Sequence, residues 1–271
     1  GHLGRKAHGV GQDAQGVALV PLGLDPVEGG LGPSGLGLQA IGWGAVAASS
    51  LVLGVLLAFA RPWSDRLVGS VLAFGAGALI SAVSFSLAGE GLDIGSPPSV
   101  GAGLAVGALA YYLASRFIDR PRPGERAGSA SGRDLALGSF LDGIPEQLVL
   151  GIGIVSGSGI SLALLMAIFV SNLPEGIGSA ADMERAGASR AYVLRLFILI
   201  AIACAIAAAV GYLLADFISN ELQACLDGFA AGALLVMMID SMIPEAREKA
   251  GNVAGLLTVV GFAAATALSG A

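Results

Sequence analysis

Eight apolar stretches recur between Leu38 and the end of the chain, and no other feature limits the fold so tightly. About 20 residues of helix cross the roughly 30 Å of bilayer hydrocarbon, and within that layer each backbone polar group must find its partner inside the span. The stretches run from residue 38 to 60, 67 to 89, 98 to 118, 135 to 157, 160 to 182, 191 to 214, 223 to 244 and 252 to 270. Composition agrees. Hydrophobic residues make up 55% of the chain and charged residues 13%, against about 25% charged in a soluble domain. The 42 glycines follow no three-residue period, which excludes collagen and suits helices that approach closely in lipid. The expectation is an all-α integral membrane protein of eight transmembrane helices, multi-pass in the cell membrane. Residues 1–37, rich in Gly and Pro and without periodicity, form an N-terminal disordered tail, and residues 38–271 form the membrane domain.

Cytoplasmic loops accumulate Lys and Arg, so charge placement checks the helix count. The connections after stretches one, three, five and seven, with their flanking turns, hold Arg61 and Arg66; Arg116, Arg120, Arg122, Arg126 and Arg133; Arg185, Arg190 and Arg195; and Arg247 and Lys249. Those after stretches two, four and six hold none. This alternation predicts both termini on the extracytoplasmic side. The net charge of -6 offers no basic surface for a nucleic acid. Cys204 and Cys225 lie in apolar runs without metal-ligand spacing and read as small hydrophobes. Gly151, Gly153 and Gly157 read as close-packing positions, and His2 and His8 as part of a solvated tail.

A carboxylate in hydrocarbon is costly and marks a functional position. Helix four reads Phe140-Leu141-Asp142-Gly143-Ile144-Pro145-Glu146-Gln147, and helix five reads Val170-Ser171-Asn172-Leu173-Pro174-Glu175-Gly176. Asp142 and Glu146 are four residues apart, as are Ser171 and Glu175, so each pair projects from one helix face. Each Pro withholds a backbone donor and frees a carbonyl one turn earlier. Counting about 1.5 Å per residue from the cytoplasmic ends puts Asp142, Glu146, Ser171 and Glu175 between roughly 10 and 18 Å deep. Carboxylates in one such layer require a bound cation, protons on the acids, or both in alternation. Oxygen ligands from Asp142, Glu146, Glu175, Asn172 and Ser171 suit a divalent metal ion. The plainer reading makes these residues interhelical hydrogen-bond glue with protonated acids. Asp240 reads as a helix-end acid reaching water near Arg247, and Ser81, Ser84 and Ser86 as helix-contact residues.

These segments resemble the ZIP family of divalent-metal transporters, whose fourth and fifth helices carry His-Asn-x-Pro-Glu-Gly and a related His or Gln version. Ser171-Asn172-Leu173-Pro174-Glu175-Gly176 matches in all but its first residue. Helix four keeps Pro145 and Glu146 but has Asp142 in place of His, Gly143 in place of Asn and Gln147 in place of Gly. Phe229 to Leu235 with Asp240 to Ala246 in helix seven, and Phe74 to Leu79 in helix two, look like the bacterial GufA-type branch. The resemblance covers residues 38 to 271 and implies a metal site between helices four and five, formed by Asp142, Glu146, Ser171, Asn172 and Glu175. It further implies a secondary transporter, not an enzyme, moving divalent ions of the zinc, iron or manganese class toward the cytoplasm by alternating access. The divalent metal (Zn, Fe, Mn or Cd) is then substrate, and no organic cofactor is implied.

No His remains in the spans, and helix six lacks the extra carboxylate that some members add for a second metal. An all-oxygen site leans toward Mn, Mg or Fe(II) over zinc. The alternative is a degenerate homologue that binds metal or serves a structural role without transport. An intramembrane aspartic protease would need Gly-x-Gly-Asp around Asp142, which instead follows Ser139-Phe140-Leu141. Expected partners are the metal ion and the lipid bilayer, with Gly-rich faces that leave room for a homodimer.

Overall fold

A computed structural model describes residues 33–118, 140, 143–152, 162–215 and 217–269. Among them the chain forms helices and short connections, with no strand. In chain order the helices are α1 (Pro33–Ala60), α2 (Asp65–Ile94), α3 (Pro97–Ile118), α4 (143–152), α5 (Leu162–Arg185), α6 (Arg190–Ala215), α7 (Asn220–Met237, continuing through Met238–Met242 and Ile243–Ala250) and α8 (Ala254–Ser269). Helix α1 begins five residues inside the segment expected to be tail. Residues 1–32, Asp142 and the Arg120-to-Arg133 stretch lie outside the described residues.

Local chemistry sets several of these limits. Ser64 and Ser219 cap α2 and α7, their side chains accepting from Leu67 N and Leu222 N at 3.3 Å. Asp65 and Glu221 add negative charge to those first turns, where the helix dipole favours it. Gly187 (φ 92°) and Gly251 (φ 69°) supply the left-handed backbone that ends α5 and α7. Val83–Gly89 in α2 and Met238–Met242 in α7 are π-helical, a widened turn that re-aims the side chains beyond it.

Among the described residues, six continuous segments are long and apolar enough to cross a membrane. The last, Asn220–Leu268, has 49 residues and if straight would reach roughly 70 Å, more than twice the hydrocarbon thickness. It doubles back at Gly251. Helix α7 runs antiparallel to α2, since Gly75 faces Met242 and Gly69 faces Lys249, whereas α8 runs parallel to α2, since Gly77 faces Thr258 and Ser81 bonds Thr266 at 2.9 Å.

Glycine contacts orient the remaining helices. Gly103 abuts Cys225 and Gly232 abuts Leu104, so α3 and α7 are parallel. Gly143 faces Cys204 and Gly211 abuts Leu148, so α4 and α6 are parallel. Gly44 faces Ala208 while Arg190 stacks on Phe59 at 5.3 Å, so α1 and α6 are antiparallel. Gly54 touches Leu173, and Arg61 and Arg185 line one cavity, so α1 and α5 are parallel. Direction therefore alternates along the chain. Arg61, Arg185 and Lys249 collect at one end of the bundle, while Glu221 of the opposite end accepts hydrogen bonds from Ser96 and Ser99.

Among the described residues two apolar clusters fill the interior, one centred on α2, α7 and α8 (Leu79, Leu234, Met238) and one on α1, α5 and α6 (Leu51, Met183, Phe197). The outward faces are equally apolar: Val106, Leu109 and Leu113 of α3 and Leu199, Ile202 and Ile206 of α6 are each more than half exposed. Such continuous apolar exposure suits contact with lipid.

Candidate metal site

Helix α5 carries the site's centre. It continues through Pro174, whose missing N–H leaves the Val170 carbonyl without its usual donor one turn on. Gly54 of α1 and Gly176 of α5 meet backbone to backbone, and Gly75 of α2 does the same with Ser171, so the Ser171–Gly176 segment is held on two sides without intervening side chains. Ser171 and Asn172 are buried, at 3% and 5% exposure, and Glu175 is half-buried. The Ser171 hydroxyl donates to Ile168 O at 3.0 Å and keeps its lone pairs for another partner.

Ser171, Asn172 and Glu175 line one cavity of ≈ 30 Å³, closed by Leu72 of α2 and by Met237, Ser241, Met242 and Glu245 of α7. A water molecule needs about 10–15 Å³ on this measure, so the cavity has room for a dehydrated cation and one water. It offers two carboxylates, an amide and two hydroxyls, the hard-oxygen set that divalent ions bind. The sequence reading missed Ser241 and Glu245. Pro244-Glu245 is a third Pro-Glu dipeptide, and that repetition was the available signal. Asp240, expected at a helix end, is exposed within the π-helical turn of α7 beside the cavity-lining Ser241, because the helix continues to Ala250.

Glu146 does not line this cavity. It is buried on α4, at 1% exposure. A Cβ at Gly143 would lie 2.6 Å from Cys204 Sγ, so Gly143 leaves the space that the thiol fills. Cys204, expected to be a small buried hydrophobe, is buried at 1% and belongs to the apolar cluster of α1, α5 and α6. Its neighbour in the same seam, Gln147, is 1% exposed and has no hydrogen-bond partner among the described residues for either amide atom. Its Oε1 lies 3.2 Å from the Cβ position of Gly44. Among the described residues no group of three or more His, Cys, Asp or Glu converges tightly enough to hold a metal unaided. Asp142 lies outside them. Ser81 bonds Thr266 and Gly151 packs on Ala208, contact roles as expected, whereas Ser84 is exposed and donates to Ile80 O of its own helix at 2.7 Å.

A helical, multi-pass membrane protein with an oxygen-lined cavity among its spans is the class that this geometry defines. The profile of the family described as ZIP Zinc transporter matches residues 128–269, more than half of the chain, and the chain belongs to that family. It is similar to Zinc transporter SLC39A7 of Canis lupus familiaris, with 24% identity over 162 residues. That match covers 55% of this chain and 34% of the relative, so the chain spans about a third of the curated protein's length.

Proposed function

We propose that this chain is a secondary transporter that moves divalent metal ions of the zinc, iron or manganese class across the cell membrane toward the cytoplasm. Its eight helices each cross the bilayer, the basic end faces the cytoplasm, and both termini lie outside. The alternating helix directions and the gathering of Arg61, Arg185 and Lys249 at one end support this topology. The motifs of α2 and α7 support the GufA-like bacterial branch, with Asp142 standing where the family's helix-four His falls. Asp142, Glu146, Ser171, Asn172 and Glu175 supply the ligands. The observation that carries the reading is the cavity in which Ser171, Asn172 and Glu175, the helix-five motif, meet Ser241 and Glu245 of α7.

Zinc uptake into proteoliposomes tests the reading. Glu146→Gln and Glu175→Gln, which keep shape and remove charge, should each reduce uptake to background; retained uptake in both would overturn it. The absence of His from the spans, with no tight cluster of three ligating side chains among the described residues, favours a second reading: a metal-binding or structural homologue without transport. A protein that binds zinc yet shows no uptake selects it.

A further inference from the structure

The cavity beside Glu175 is bounded on its basic-end side by an ion pair. Lys249 Nζ donates to Glu245 Oε1 at 2.5 Å, with the lysine side chain only 18% exposed. Both residues sit in grooves left by glycines. A Cβ at Gly69 of α2 would lie 2.5 Å from Lys249 Cβ, so α2 clamps the lysine stem. A Cβ at Gly178 of α5 would lie 3.5 Å from both Glu245 Oε1 and Lys249 Nζ, so α5 presses on the pair itself. On the far side lies a second cavity of ≈ 160 Å³, lined by Arg61, Trp63, Asp65, Arg185 and Lys249 among others. Glu245 therefore faces one cavity and Lys249 the other, and the ion pair is their shared wall. The other cations of the second cavity are engaged elsewhere: Arg185 pairs with Asp182 at 2.8 Å, and Arg61 lies 4.1 Å over the Trp63 ring.

We propose that Lys249 is a tethered cation that closes the inner end of the metal path, neutralising Glu245 until an arriving divalent ion displaces it. Two carboxylates on one small cavity need positive charge nearby. The lysine supplies it when cargo is absent. A divalent ion held by Glu175 and Glu245 interacts with each carboxylate twice as strongly as an ammonium at equal distance, and takes Glu245 from Lys249. The freed ammonium swings on its four-carbon stem toward Asp65 in the larger cavity, which opens the wall; once the ion departs, the lysine returns. The inference rests on the transporter reading.

Titration of the purified full chain with Cd(II) at fixed ionic strength separates the two. Lys249→Gln removes the competing cation and should tighten Cd(II) binding by roughly fivefold, the worth of a partly buried ion pair. Lys249→Arg keeps the charge and should bind as the parent does. In a Glu245→Gln background the gain from Lys249→Gln should vanish, which a merely structural lysine would not produce. Unchanged or weaker binding by Lys249→Gln, while the parent binds and Glu175→Gln does not, overturns the displaced-lysine gate and leaves the transporter reading standing. No saturable Cd(II) binding by the parent overturns both.

Discussion

Replacing Gly75 by Ala should weaken transport through the backbone of a ligand it never touches chemically. A Cβ at residue 75 would lie 2.9 Å from Ser171 Cα, 3.2 Å from Ser171 N and 3.3 Å from Met242 Cε. Ordinary contact begins near 3.4 Å, so α5 must retreat from α2 by about 0.5 Å at the residue that opens the Ser-Asn-x-Pro-Glu segment. Overpacking of this kind costs about 1–3 kcal/mol, offset by about 0.5–1 kcal/mol of helix propensity gained on replacing Gly. The net loss should lower the unfolding temperature by a few degrees without preventing folding. A misplacement near 1 Å at a reacting centre costs about 100-fold, so half of that should reduce zinc uptake by about tenfold. Initial uptake rates in proteoliposomes, normalised to reconstituted protein, measure the effect. Gly101→Ala on α3, with nothing within 4 Å of its added methyl, is the matched control and should transport normally. Parental uptake by a folded Gly75→Ala protein would refute the claim that the α2–α5 contact positions the site.

Three further outcomes are expected. Cd(II) added to the parent should raise no ultraviolet thiolate-to-metal charge-transfer band, since neither Cys204 nor Cys225 lines the cavity; a band that Cys204→Ser abolishes would place the ion in the α4–α6 seam instead. In competition uptake, Cys204→Ser should leave the preference between cadmium and manganese unchanged, the expected response when the thiol is not a ligand. Gly251→Ala should cost about 1–2 kcal/mol, because the α7–α8 reversal needs its φ of 69°, and thermal unfolding should show the loss; an unchanged midpoint would mean that the turn relaxes at no cost.

The membrane helices were readable because apolar length and Arg placement are local properties, and α3, α5 and α6 begin and end within three residues of the expected limits. The misreadings came where local signals conflict with packing. Glu245 to Gly251 reads as a break because four of its residues are charged, yet Ile243–Ala250 is an amphipathic helix that buries Ala246 and Ala250 and turns its charges outward and toward the cavities. Glu90 likewise read as a span end, whereas the π-helical turn before it carries α2 on to Ile94. Within the site, the grouping of Ser171, Asn172 and Glu175 followed from spacing along one helix. Ser241 and Glu245 reach the same cavity from a different helix and leave no periodic trace along α5, so spacing alone does not find them. Gly143, which stands where the family has Asn, is the clearance for the Cys204 thiol.

The most direct measurement is an experimental structure of the full chain in lipid with bound Cd(II), whose scattering locates the ion unambiguously. This account predicts density in the cavity between α5 and α7, within about 2.0–2.6 Å of a Glu175 carboxylate oxygen. Density confined to other parts of the molecule, with Glu175 turned away from both Asn172 and Glu245, would contradict it.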